Sequence, residues 1–215
     1  MALSSLFKQN RCFFISYLVA FIFAVWILLS YSKSDGFILL NPWHSQPFDY
    51  LFIPLTYLGD GIFSIALALP LFFRKRKALA LMIVSSFLIS GIIAQIIKIV
   101  VVAPRPAVFF EYSHYPNFIE GVTLYNLHSF PSGHTTSIFA LAATLAFFLK
   151  NKSFSILLLL VAILVGYSRI YLGQHFMEDV LSGSVIGITT SIFCEIFFLT
   201  YFKKLDQNKI NKSSI

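Results

Sequence analysis

Charge is scarce in this chain: Asp, Glu, Lys and Arg make up 12% of its 215 residues, while 58% are hydrophobic and the mean hydropathy is +0.81. Soluble domains carry about 25% charged residues, so an ordinary soluble fold is excluded. Cysteine is nearly absent as well, and Cys12 and Cys194 both fall in or beside long apolar stretches. Two such residues build no disulfide framework and leave the redox compartment open. Together with His44, His114 and His128, which have no ligand-type spacing, they make no credible metal site, and no cofactor is implied. Low-complexity linkers and internal repeats are also missing, so residues 1–215 read as a single domain, with a flexible tail over 203–215.

What the chain does have is long apolar runs, near 12–30, 51–73, 78–97, 134–149, 153–168 and 180–202. Each is close to the roughly 17 to 25 residues that cross a bilayer as a helix, which predicts an all-α membrane protein with six transmembrane helices. The first run follows Lys8 and Arg11 as a signal peptide would, but it is nineteen residues long and no A-x-A cleavage site follows, so it is expected to be an uncleaved anchor.

A net charge of +7 raises the possibility of a nucleic-acid partner, but membrane topology accounts for the basic residues better. Twelve of the sixteen fall on one side of a six-span plan: Lys8, Arg11, Arg74, Lys75, Arg76, Lys77, Lys150, Lys152, Lys203, Lys204, Lys209 and Lys212. The other side holds Lys33, Lys98, Arg105 and Arg169. Positive charge is retained in the cytoplasm, so both termini and the tail are expected there.

The connections are short except for a stretch over 104–130, and loops beyond about 12 to 15 residues are usually functional or disordered. This one carries Phe109, Phe110, Tyr112, Tyr115, Phe118, Tyr125 and Phe130, aromatics that suit a lipid groove or an interfacial belt. Pro104, Pro106, Pro116 and Pro131 punctuate it, with Pro131 expected in the opening turn of the fourth span. Asp60, near a helix end, is expected to cap it, and Glu195 to pair with a neighbouring helix.

Three motifs concentrate polar side chains at the extracytoplasmic ends of these spans: Lys98 with Arg105-Pro106, then Pro131-Ser132-Gly133-His134, then Ser168-Arg169 with His175 and Asp179. A charge at a helix centre in the bilayer costs roughly 2.5 to 3.5 kcal/mol even on insertion scales, so function is the default explanation for such a cluster. Ser132, Gly133 and His134 open a helix whose first N–H groups and dipole attract an anion. Gly133 admits a phosphate oxygen close to the backbone, Ser132 can donate its hydroxyl, and His134 can exchange a proton with a leaving oxygen.

His175 and Asp179, four apart, share a face if the last span begins near 175. A carboxylate on one imidazole nitrogen raises the basicity of the other, which suits attack on phosphorus, although the same spacing also serves as a structural hydrogen bond. Lys98, Arg105 and Arg169 can converge as a clamp on phosphoryl oxygens, while each taken singly is also a snorkelling residue at a helix end. Glu120 and His128, in the loop before the second motif, are candidates for headgroup contacts.

The joint spacing K-x6-RP, PSGH and SR-x5-H-x3-D resembles the signature of the type 2 phosphatidic acid phosphatase superfamily, the lipid phosphate phosphatases, with every motif position matched. The resemblance implies a metal-independent lipid phosphatase sharing its helical core with vanadate-dependent haloperoxidases. It implies His175 as the nucleophile that forms a phosphohistidine, Asp179 orienting it, His134 protonating the leaving group, and Lys98, Arg105, Ser132, Gly133 and Arg169 holding the phosphoryl oxygens. The implied partner is a lipid phosphate from the bilayer: lipid A phosphate or undecaprenyl diphosphate first, phosphatidylglycerol phosphate or phosphatidic acid next. A Lys-, Ile- and Phe-rich composition points to an AT-rich bacterial genome, and with the charge bias this predicts an inner-membrane protein whose site faces the periplasm. Transfer of the phosphoryl group to an acceptor, or a transporter with charged pathway residues, are the competing expectations.

Overall fold

The computed structural model describes every residue except 1, 2, 43, 75, 112–117, 150 and 213–215, with no side chains described at 199 or from 201 onward. Tyr112, His114, Tyr115, Pro116, Lys75 and Lys150 thus lie outside the described residues, as do the side chains of the basic tail. The described chain is all-α. Helices α1 (Leu3–Gln9), α2 (Arg11–Ser30), α3 (Lys33–Leu40) and α4 (Gln46–Leu55) lead through a 3-10 turn at Thr56–Gly59 into α5 (Gly61–Phe73). Then come α6 (Lys77–Val100), the short α7 (Pro106–Phe109), α8 (Gly133–Leu149), α9 (Lys152–Tyr171) and α10 (Met177–Lys212).

Local chemistry sets these boundaries. Ser32 caps α3 by accepting from the Asp35 N–H, and Asn151 caps α9 by accepting from the Phe154 N–H at 3.0 Å. Asp60 caps α5 as expected, accepting from the Ile62 N–H at 3.1 Å.

That cap also corrects the apolar run over 51–73. It is not one straight helix but two, Gln46–Gly59 and Gly61–Phe73, bent by 61° at the point where the Asp60 backbone leaves the helical region. Among the described residues four helices are long and apolar enough to cross a membrane: α2, α6, α9 and the Met177–Phe198 part of α10. The bent pair would make five. The fourth run, 134–149, appears as the 17-residue α8. At 1.5 Å per residue it is about 25 Å long, against roughly 30 Å of hydrocarbon.

Helix α8 is short because it is central. Twelve of its residues are buried, among them Ala140, Ala142, Ala143, Ala146 and Phe147, and it packs against α6, α9 and α10. Lipid is as apolar as leucine, so close packing and hydrogen bonds rather than water exclusion must hold such helices together. Small residues supply that packing. A Cβ on Gly183 would stand 2.7 Å from the Ser132 carbonyl oxygen, and one on Gly187 would stand 2.5 Å from that of Thr136, so α10 lies directly on the α8 backbone. Thr144 Oγ1 sits 3.1 Å from Ser86 Oγ and 3.2 Å from Ser191 Oγ, joining α8 to α6 and α10. Each such contact contributes on the order of 1 kcal/mol.

Candidate active site

Because α6, α8, α9 and α10 run alternately up and down, the end of α6, the start of α8, the end of α9 and the start of α10 meet at one end of the bundle. Lys98, Gly133 with His134, Arg169 and Asp179 occupy those four ends. The three motifs are thereby brought together, with the Ser132 N–H donating to the Asp179 carbonyl at 2.9 Å.

Two local devices shape the segment around His175. Helix α9 ends in a Schellman turn: Gly173 at φ +66 donates to Ile170 O, and Gln174 N–H reaches back to Arg169 O at 2.9 Å. A side chain at Gly173 would suffer the positive φ and also press on the Phe118 ring, 2.8 Å from its Cβ. Helix α10 starts at Met177, two residues later than the expectation that placed His175 on it. The His175–Asp179 contact forms nonetheless, Nδ1 to Oδ2 at 3.3 Å, because Asp179 in the first turn reaches backward. The same Oδ2 accepts from the Phe176 N–H at 2.9 Å, as the acidic member of a capping box does, and from Ser129 Oγ at 2.5 Å.

His175 and Asp179 are buried. Burial lowers His175 to about 3, Asp179 opposing the fall and Arg105 and Arg169 adding to it, so the ring is a neutral imidazole at pH 7. With Nδ1 turned toward Asp179, Nε2 is the nitrogen directed away from the carboxylate.

The cations are held by backbone and side chain. Lys98 Nζ donates to His128 O at 2.6 Å. Arg105 donates from Nε to Leu127 O at 3.0 Å and lies 5.1 Å from the centre of the Tyr125 ring. Buried Arg169 donates from Nη1 to Thr56 Oγ1 at 2.6 Å, and its Nε has no partner among the described residues. Lys98, Arg105 and Arg169 all lie within electrostatic reach of His134.

At the head of α8, Pro131 stands two residues ahead of Gly133, outside the opening turn where it was expected, because Ser132 is the capping residue. Ser132 Oγ accepts from Thr135 Oγ1 at 2.9 Å, which leaves its own hydrogen free to donate. A Cβ at Gly133 would meet nothing within 4 Å, so its backbone faces open space. An anion fits there.

The loop over 104–130 is tied at its base. Arg105 N–H donates to Asn126 O at 2.9 Å and Ser129 N–H to Ala103 O at 3.1 Å. His128, at φ 59, bonds through Nδ1 to Lys98 O at 2.8 Å, so it holds the loop to the end of α6. Glu120 is exposed, and no contact brings it to the cluster. Phe110 and Phe118 pack on the buried Phe37, Ile170 and Phe176, so these two are interior props beneath the site. Among the described residues no group of three or more His, Cys, Asp or Glu side chains converges as metal ligands would.

Sequence reasoning missed Ser129, Thr56 and Gln174. Ser129 lies three residues before Ser132, where a hydroxyl facing the second motif was a readable signal. Thr56 comes from the broken span and carried none.

An apolar cavity of about 280 Å³ opens between α2, α9 and α10, lined in part by Tyr17, Ala24, Ile27, Ile170, Met177 and Val180. Met177 and Val180 flank Asp179 in the first turn of α10.

Comparison with known proteins adds relatives to this geometry. The chain is 36% identical over 137 residues to a lipid A 4'-phosphatase of Porphyromonas gingivalis, an alignment covering 61% of this chain and 58% of that protein. An undecaprenyl-diphosphatase of Sulfolobus acidocaldarius is 30% identical over 143 residues, 65% of this chain and 59% of its own length. The chain thus spans somewhat under two thirds of these relatives. The crystal structure of Aquifex aeolicus LpxE superposes with a TM-score of 0.60 at 28% identity, covering 78% of this chain and 97% of that one. The PAP2 superfamily profile matches residues 78–203, from the start of α6 through the membrane part of α10 and across all three motifs. Over more than half its length, and with its motif residues gathered at one end of the bundle, the chain belongs to the PAP2 superfamily.

Proposed function

We propose that the protein is a metal-independent membrane phosphatase that hydrolyses a lipid phosphate or diphosphate through a phosphohistidine. The observation that carries this reading is the convergence of three cations, two histidines, one carboxylate and an open helix start at one end of an apolar bundle. His175 Nε2 attacks phosphorus and the N–P bond forms as the P–O bond to the lipid breaks. His134 gives its proton to the departing oxygen. Asp179 stabilises the positive ring of the phosphohistidine, while Lys98, Arg105, Arg169, the Ser132 hydroxyl and the Gly133 backbone hold the equatorial oxygens as their charge grows. Water then attacks phosphorus, His134 takes its proton, and the N–P bond breaks to release inorganic phosphate and restore neutral His175.

In this reading α2, the bent α4–α5 pair, α6, α8, α9 and α10 all cross the membrane. The asymmetry of basic residues supports a cytoplasmic location for both termini and an extracytoplasmic site, which in a bacterial inner membrane is the periplasmic face. Lipid substrate reaches the site from the bilayer, and the apolar cavity beside the first turn of α10 offers space for a chain. Lipid A phosphate and undecaprenyl diphosphate are the favoured substrates, in keeping with the names of the relatives.

Phosphate release by the purified protein, with EDTA present, is the test, using lipid A, undecaprenyl diphosphate, phosphatidylglycerol phosphate and phosphatidic acid beside a His175→Ala variant. Release from one of these lipids, lost in the variant, is expected. An equally active variant would refute the mechanism.

A further inference from the structure

Of the three cations, Arg105 alone stands in the loop over 104–130, outside the long helices whose ends carry Lys98 and Arg169. Something other than a helix end must therefore aim it. Its Nη1 lies 3.2 Å from Gln174 Oε1 and 3.3 Å from Gln174 O, so one residue grips it with both side chain and backbone. Nε is occupied by Leu127 O, and Nη2 has no partner among the described residues.

Gln174 is itself fully committed. Its Nε2 donates to Thr123 O at 2.9 Å, across the same loop, and its backbone N–H closes the Schellman turn on Arg169 O. It is 2% exposed and immediately precedes His175. A buried carboxamide that uses its acceptor on Arg105 and its donor on Thr123, two points of one loop, is held in a single orientation.

We propose that Gln174 is a positioning residue of the phosphate site. It fixes Arg105 through Nη1 so that Nη2 stays available to a phosphoryl oxygen, and it locks the distance between this loop cation and the histidine next to it in the chain. The assignment rests on the phosphatase reading. It predicts an effect felt through Arg105, which mere filling of a buried space would not give.

The experiment uses the purified full-length protein and compares wild type, Gln174→Ala, Gln174→Met, Arg105→Ala and the Gln174→Met/Arg105→Ala double variant. KM and kcat for the best lipid substrate are measured together with inhibition by orthovanadate, an anion with the shape of phosphate. Gln174→Met keeps the buried volume and removes the acceptor, so it is informative even if Gln174→Ala does not fold. The expected result is orthovanadate inhibition weakened by about tenfold or more in Gln174→Met, the order of magnitude for losing a hydrogen bond to a charged group. KM should rise more than kcat falls, and the double variant should be no worse than Arg105→Ala alone. Multiplying effects in the double variant, or unchanged inhibition in Gln174→Met, would overturn the assignment while leaving the phosphatase reading intact. A wild type insensitive to orthovanadate together with an active His175→Ala variant would instead overturn that reading, and this assignment with it.

Discussion

Replacing Asp179 by Asn tests the electrostatics of the site without disturbing its shape. Among the described residues the three donors around this carboxylate, Ser129 Oγ, the Phe176 N–H and His175 Nδ1, converge on Oδ2, while buried Oδ1 has no partner there. An amide can therefore keep its oxygen toward the donors and place its NH2 where Oδ1 was. The His175 tautomer and the start of α10 are retained, and what disappears is the negative charge. That charge matters when the ring becomes positive on forming the phosphohistidine. Two unit charges about 4 Å apart at an effective dielectric near 20 interact by about 4 kcal/mol, which sets an upper limit near a thousandfold in rate. Asp179→Asn should thus lower kcat by roughly a hundredfold to a thousandfold with little change in KM, because the neutral ring of the free enzyme does not feel the loss. Initial rates of phosphate release over a range of lipid concentrations, on protein whose thermal midpoint matches wild type, provide the assay. A kcat within about fivefold of wild type would refute the claim that the carboxylate acts on a positive His175.

Three further outcomes follow from named contacts. Gly187→Ala places a Cβ 2.5 Å from the Thr136 carbonyl, a backbone atom that cannot step aside, so about 1 to 3 kcal/mol of stability should be lost, read as a lower thermal midpoint in detergent. His175 binds its proton at about 3 in the fold and near 6.5 when unfolded, so below pH 6.5 the unfolded chain takes up a proton that the folded one refuses. Stability is full above that value and falls as pH drops toward 3, and the decline from pH 7 to 5 should be shallower in His175→Asn; equal declines would contradict it. Filling the apolar cavity with Ala24→Trp should raise KM for a long-chain lipid phosphate but not for a short-chain soluble ester, and equal effects on both would argue against a chain in that space.

Much of the architecture was legible because apolar length is a one-dimensional property. Four of the six apolar runs reappear as helices displaced by only a few residues at either end, the last run reappears as α10 extended ten residues further, and the motif residues stood out by type and spacing. The break at Gly59–Asp60 was half visible: the cap was foreseen, its 61° consequence was not. Gly183 and Gly187, four apart on the face of α10 that meets α8, formed a small-xxx-small pattern that sequence could have offered as the packing seam. His128 reads in the sequence as a candidate headgroup contact, and its bond to Lys98 O, which ties the loop to the end of α6, was not foreseen.

Composition was enough to establish a helical membrane protein, and the spacing of three motifs carried the resemblance from which its phosphate-site side chains are proposed, because hydropathy and residue chemistry are carried by the chain itself. Which atoms those side chains meet depends on contacts between residues far apart in sequence. Ser129 on Asp179 is a separation of fifty residues, Gln174 on Arg105 of sixty-nine, and Thr56 on Arg169 of one hundred and thirteen. No local pattern encodes such pairings; they exist only once antiparallel helices bring their ends to one edge of the bundle.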